Sequence, residues 1–176
     1  MPQYVIPAAV LAAIDQALAL LPRRMDCIEA RCEMLAIGLQ ESRFRDRFQR
    51  SPQAPGGKGP ARGFWQFERG TEASRGWVWG MLLHPATSSL VADLCRARGC
   101  GFNAGDIHDA IERDDVLAAG LARLLLWTDP KPLPTLGDAA GAWELYARTW
   151  RPGKPRRETW DGCHAAAVAA LDRRAK

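Results

Sequence analysis

Apolar residues recur at helical spacing along most of the chain, and the pattern lays out a succession of helices. Val10, Ile14, Leu18 and Leu21 fall on one face of a first helix, which Pro7 opens and Pro22 stops. A second helix follows, with Asp26 and Glu29 as a capping pair and an end near Glu41. Ile28, Cys32, Leu35 and Leu39 make one apolar row on it; Ala30, Met34 and Ile37 make another. Only Glu29, Glu33 and Gln40 share a polar side, so the pattern predicts a mostly buried helix.

Arg43 to Gly63 breaks the periodicity. The segment SPQAPGGKGPARG within it is loop by every local signal, and a long loop in a compact domain points to function. Trp65 to Met81, aromatic and punctuated by glycine, follows neither period. Helices resume at Thr87 to Arg98, which Gly99 stops, and near Asp106 to Glu112. Asp114 caps a helix bearing Leu117, Leu121, Leu124 and Leu125, which ends before Pro130. Thr135 and Asp138 form a capping box for a helix reaching Trp150, and an Ala-rich helix runs from about Asp161 into the basic tail Arg173, Arg174, Lys176. No strand-like alternation and no internal repeat interrupts this series. The expected class is all-α, with room for a small β-hairpin in the loop region.

The length of 176 residues fits one domain, taken as 1–176, and a composition 47% hydrophobic and 25% charged is that of an ordinary globular protein. The net charge of +4 points to an anionic partner: nucleic acid, a membrane surface or an acidic polymer such as a cell wall. Cys27, Cys32, Cys95, Cys100 and Cys163 are odd in number, which excludes complete intrachain pairing. Their C-x4-C spacings lack the knuckle pattern of zinc sites, so buried free thiols, no metal and no cofactor are expected. The apolar N-terminal stretch has no basic residues before it and is interrupted by Asp15 and Gln16. It therefore reads as neither a signal peptide nor a membrane span.

One residue breaks the logic of the second helix. Glu41 follows Ile37 by four positions and Met34 by seven, so it continues an apolar row. A carboxyl at the end of a buried stripe tends to keep its proton, which suits a general acid at neutral pH. An exposed helix-end glutamate paired with Arg43 or Arg45 is the bland alternative.

The residues around Glu41 carry a resemblance. LAIGLQESRF followed by GPARGFWQF resembles the SLT-type lytic transglycosylase family of the lysozyme-like superfamily. Its members show a Glu-Ser pair at a helix end, a Gly-Leu-Met-Gln type turn, and a Tyr-Asn pair late in the domain. Here the pair is Glu41-Ser42 and the turn is Gly63-Phe64-Trp65-Gln66, with Trp65 replacing Met. Tyr146 is the nearest match to the late Tyr, with Ala147 where Asn stands in the family. The motif core spans 26–155, and the close likeness covers about Leu35 to Phe67.

The resemblance implies a lysozyme-like domain that cuts the β-1,4 bond between N-acetylmuramic acid and N-acetylglucosamine in peptidoglycan. Glu41 would protonate the glycosidic oxygen, then accept a proton from the sugar's own 6-hydroxyl or from water. Gln66 would bond the sugar or its acetamido group, Tyr146 would orient Glu41, Ser42 would fix the turn or bond substrate, and Trp65 would stack on a sugar ring. Asp46, Glu68 and Glu72 lie near enough in sequence to supply a second carboxylate, but none has a motif behind it, so a single-acid scheme is expected. Arg43, Arg45, Arg47 and Arg50 are candidates for attracting the anionic wall. The expected partner is the glycan strand, bound by a monomer with no obligate nucleic acid. A wall substrate without an export signal suggests a phage enzyme, delivered by lysis or carried in a virion. The alternative is a basic nucleic-acid-binding module or a non-catalytic wall-binding helical domain.

Overall fold

The structure is a computed structural model and describes residues 4–174; Lys176 of the basic tail and the first three residues lie outside them. Among the described residues it is mainly α-helical, with one two-stranded antiparallel sheet. The helices are α1 (Ala8–Ala19), α2 (Ile28–Glu41), α3 (Trp77–Leu83), α4 (Ser88–Arg98), α5 (Ala104–Ala110), α6 (Asp115–Trp127), α7 (Ala139–Trp150) and α8 (Arg157–Arg174). The strands are β1 (Phe48–Arg50) and β2 (Lys58–Arg62), paired Phe48 to Arg62 and Arg50 to Lys58 inside the segment expected to be loop. None of these helices is long and apolar enough to cross a membrane.

The core is one continuous cluster with α6 running through it; every residue from Val116 to Leu126 is buried. Asp114 caps this helix as expected, accepting from the amides of Val116 and Leu117 at 3.0 and 2.9 Å. Gly120 lets α4 cross at close range, since a Cβ there would stand 2.5 Å from a methyl carbon of Leu94.

Two expected caps are replaced. Asp26 does not cap α2; it holds the Arg31 guanidinium at 2.6 Å, and Cys27 is the cap, its sulfur accepting from the Ala30 amide at 3.5 Å. Thr135 does not cap α7; Asp138 does so alone, bonding the Gly141 amide at 2.8 Å. The last helix begins at Arg157 rather than near Asp161.

The polar side expected on α2 is also absent, because α8 packs along it. Glu33 and Gln40 are buried there. Gln40 is satisfied: its amide nitrogen donates to the Arg156 carbonyl at 2.9 Å and its oxygen accepts from the Thr159 hydroxyl at 2.9 Å. Glu33 is not, for Oε2 has no partner among the described residues. Burial, and secondly the charge of Asp138, push its pKa up to about 8, so the neutral form predominates in the folded protein at neutral pH. At the end of α8, Arg174 is tied to Asp15 of α1 at 2.6 Å rather than free as a basic tail.

Candidate active site

The end of α2 is shaped by a backbone reversal. Arg43 and Phe44 both take left-handed conformations, with φ of 53° and 54°, which turn the chain back on the helix. The Phe44 ring then lies on Gly38, where a Cβ would come within 2.1 Å of it. Ser42 fixes the reversal: its hydroxyl donates to the Phe64 carbonyl at 2.6 Å and accepts from the Phe44 amide at 3.1 Å. Ser42 therefore joins the two expected motifs, Glu41-Ser42 and Gly63-Phe64-Trp65-Gln66, by one hydrogen bond.

The second motif is a tight turn. Arg62 and Phe67 bond each other in both directions, at 2.9 and 2.8 Å, and Gly63 stands at φ 70° with the Ile111 carbonyl 3.0 Å from where a Cβ would be. Trp65 points into the core. It is fully buried and its indole donates to the Met34 carbonyl at 2.7 Å, while its own carbonyl accepts from the Trp150 indole at 2.9 Å. Trp65 thus has no face to offer a sugar, and the expected stacking role is corrected to a bolt between α2 and α7. Gln66, at φ 50°, is half-buried, with its amide nitrogen 2.8 Å from the Gly63 carbonyl.

Above this turn lies a cleft of about 240 Å³, bordered by Glu41, Gln66, Glu68, Trp77, Tyr146 and Arg156 among others. Tyr146 comes from α7 and donates its phenol to Glu41 Oε1 at 2.5 Å. Its ring is 5.1 Å from Trp160 and nearly parallel to it, and 5.3 Å from Trp143, so it has no freedom to swing. Burial raises the Glu41 pKa to about 7; the Tyr146 hydrogen bond and the Arg156 charge act against the rise, and the Glu68 charge adds to it. A large share of Glu41 is therefore protonated at neutral pH while its carboxyl borders the cleft, as a general acid requires.

No family model matches the chain, and no curated protein and no solved structure is detectably similar to it.

The remaining candidates divide by location. Glu68 follows the turn and borders the cleft with Glu41, and among the described residues it makes no ion pair. Asp46 instead accepts from Arg50 at 2.7 Å, and Glu72 is exposed beside a different hollow. Of the four loop arginines, Arg50 is engaged with Asp46, and Arg47 with Asp115 at 2.8 Å. The cations that border the cleft are Lys154 and Arg156, from the segment before α8. Trp77 was not singled out by the sequence. It is half-exposed, borders the cleft, and starts α3 at φ 48°, a conformation costly for a bulky side chain. The sequence signal for it was weak: one of seven tryptophans, in a segment with no periodicity.

Proposed function

We propose that this protein is a peptidoglycan-cleaving enzyme of the muramidase or lytic transglycosylase kind, with Glu41 as its catalytic acid. The observation that carries the reading is a carboxyl with a pKa near 7, bordering a cleft and held by a locked tyrosine. A binding module has no need of a half-protonated acid aimed into its groove. The resemblance of LAIGLQESRF and GPARGFWQF to lytic transglycosylases supplies the substrate class, and the Ser42 hydrogen bond to Phe64 puts those two segments side by side.

In this scheme Glu41 donates its proton to the glycosidic oxygen as the bond to the muramic carbon breaks. Tyr146 holds the carboxyl in place and stabilises the carboxylate left behind. That carboxylate then takes the proton of the attacking hydroxyl. With the muramic 6-hydroxyl as nucleophile, the product carries a 1,6-anhydro end. A second reading rests on Glu68: a second carboxyl group bordering the same cleft can activate water and leave a reducing end instead. Trp77 supplies the half-exposed aromatic face for a sugar ring, and Gln66 a polar edge.

The test is clearing of purified peptidoglycan by the protein and by Glu41→Gln, with thermal unfolding of both. Glu41→Gln is expected to lose at least roughly 10²-fold in rate, the contribution of a general acid, while remaining folded. A folded variant that clears peptidoglycan at the wild-type rate removes the reading.

A further inference from the structure

A second cavity, of about 490 Å³, opens at the C-terminal end of α6 and shares no bordering residue with the cleft. Arg24, Glu29, Arg123, Trp127, Lys131 and Leu133 are among its walls. Arg123 is only 1% exposed. Its Nε donates to the Met25 carbonyl at 2.7 Å, but its Nη1 is buried without a hydrogen-bond partner among the described residues. No carboxylate pairs with it there either. A guanidinium keeps its proton at any physiological pH, so this charge is enclosed without a carboxylate partner among the described residues. Burial accordingly lowers the Arg123 pKa, with Cys27 and Asp26 opposing.

A second cation and an aromatic ring adjoin it. The guanidinium carbons of Arg123 and Arg24 lie 4.9 and 5.7 Å from the centre of the Trp127 ring. Lys131 stands at the rim. The acidic groups at the cavity are Glu29 and Asp129, and Asp129 is bound to Arg148 at 2.9 Å. Three cations against two carboxylates leave an excess of one positive charge. Leu126, Leu133 and Pro130 give the rest of the wall an apolar character.

We propose that this cavity is a binding site for a monoanionic carboxylate with an apolar body, held by the exposed Arg24 and attracted by the enclosed charge of Arg123 behind it. An N-acylated amino acid or the C-terminal end of a peptide presents this chemistry. The exposed Arg24 guanidinium fork matches a planar carboxylate, and a dianion such as phosphate is disfavoured by Glu29 and Asp129. The site does not depend on the reaction in the cleft.

The experiment is titration calorimetry of the full chain at about pH 8 with N-acetyl-leucine, with N-acetyl-leucinamide as the uncharged counterpart and inorganic phosphate, mostly dianionic at that pH, as the dianion. Saturable binding of the acid is expected, with the amide and phosphate each weaker by roughly tenfold or more. Arg123→Met keeps the bulk without the charge, and Arg24→Ala alters an exposed rim residue; each is expected to weaken the acid by roughly tenfold. A leucine-ended tripeptide distinguishes the sources: tighter binding than N-acetyl-leucine assigns a chain end, and equal or weaker binding assigns a small acid, both upholding the site. Equal binding of the amide, undiminished binding by both folded variants, or no saturable binding up to roughly 10 mM overturns it.

Discussion

Tyr146 and Glu41 lie 105 positions apart in the chain and share a hydrogen bond of 2.5 Å between their side chains. The bond favours the charged carboxylate, so it holds the Glu41 pKa below what burial alone would set. Tyr146→Phe removes it and keeps the ring. The alkaline limb of the pH–rate profile, governed by loss of the Glu41 proton near pH 7, is expected to move to higher pH. The maximal rate should fall by about tenfold or more, because an unheld acid leaves its productive orientation. An unmoved limb on a folded variant means that the phenol does not act on Glu41.

Glu68 acts on the same proton from the other direction, as a like charge that raises the Glu41 pKa. Glu68→Gln should therefore shift the alkaline limb to lower pH. Mass analysis of the soluble fragments addresses the chemistry: the single-acid scheme gives 1,6-anhydromuramyl ends from both proteins. Reducing ends from the wild type that are lost in Glu68→Gln would instead make Glu68 the base that activates water.

Glu33 makes stability depend on pH. Its pKa rises from 4.5 unfolded to about 8 folded, so the folded chain binds this proton more tightly. The stabilisation is fully present below 4.5 and is lost as pH rises through about 8. Glu41 contributes in the same direction, over the narrower window from 4.5 to about 7. Glu33→Gln should therefore flatten the fall in melting temperature between these limits and be the more stable protein at high pH. Parallel melting curves for the two proteins from acid to pH 9 would mean that Glu33 is not the neutral buried acid described.

Trp65 and Trp77 separate structure from binding. Trp65→Ala should destabilise the fold by about 3–5 kcal/mol, since it empties a fully buried indole site and removes the indole's hydrogen bond to the Met34 carbonyl. Trp77→Ala, at a partly buried indole on the edge of the core, should cost clearly less stability than Trp65→Ala and raise KM for soluble glycan fragments several-fold. The reverse ranking in thermal unfolding and kinetics would exchange the two roles.

Periodicity and local chemistry were enough for much of the fold. The leucines of α6, its Asp114 cap and the Gly99 stop of α4 follow from rules that act within a turn or two of helix. The departure of Glu41 from an apolar row is equally local, and it singled out the acid. What the chain pattern could not decide was which polar residues a distant element would cover. Glu33 and Gln40 read as a solvated side until α8, more than a hundred residues later, packed on α2. Trp65 read as a binding aromatic because its motif neighbours a site, but its orientation depends on carbonyl partners in α2 and on α7. The meeting of Glu41 with Tyr146, the entry of Glu68 and Trp77 into the cleft, and the isolation of Arg123 are likewise products of packing. The sequence determined where helices form and which residue was out of place, because those are short-range effects of spacing and capping. The tertiary structure alone decided how far the Glu41 pKa rises, because desolvation is set by everything that surrounds a group and not by its neighbours in the chain.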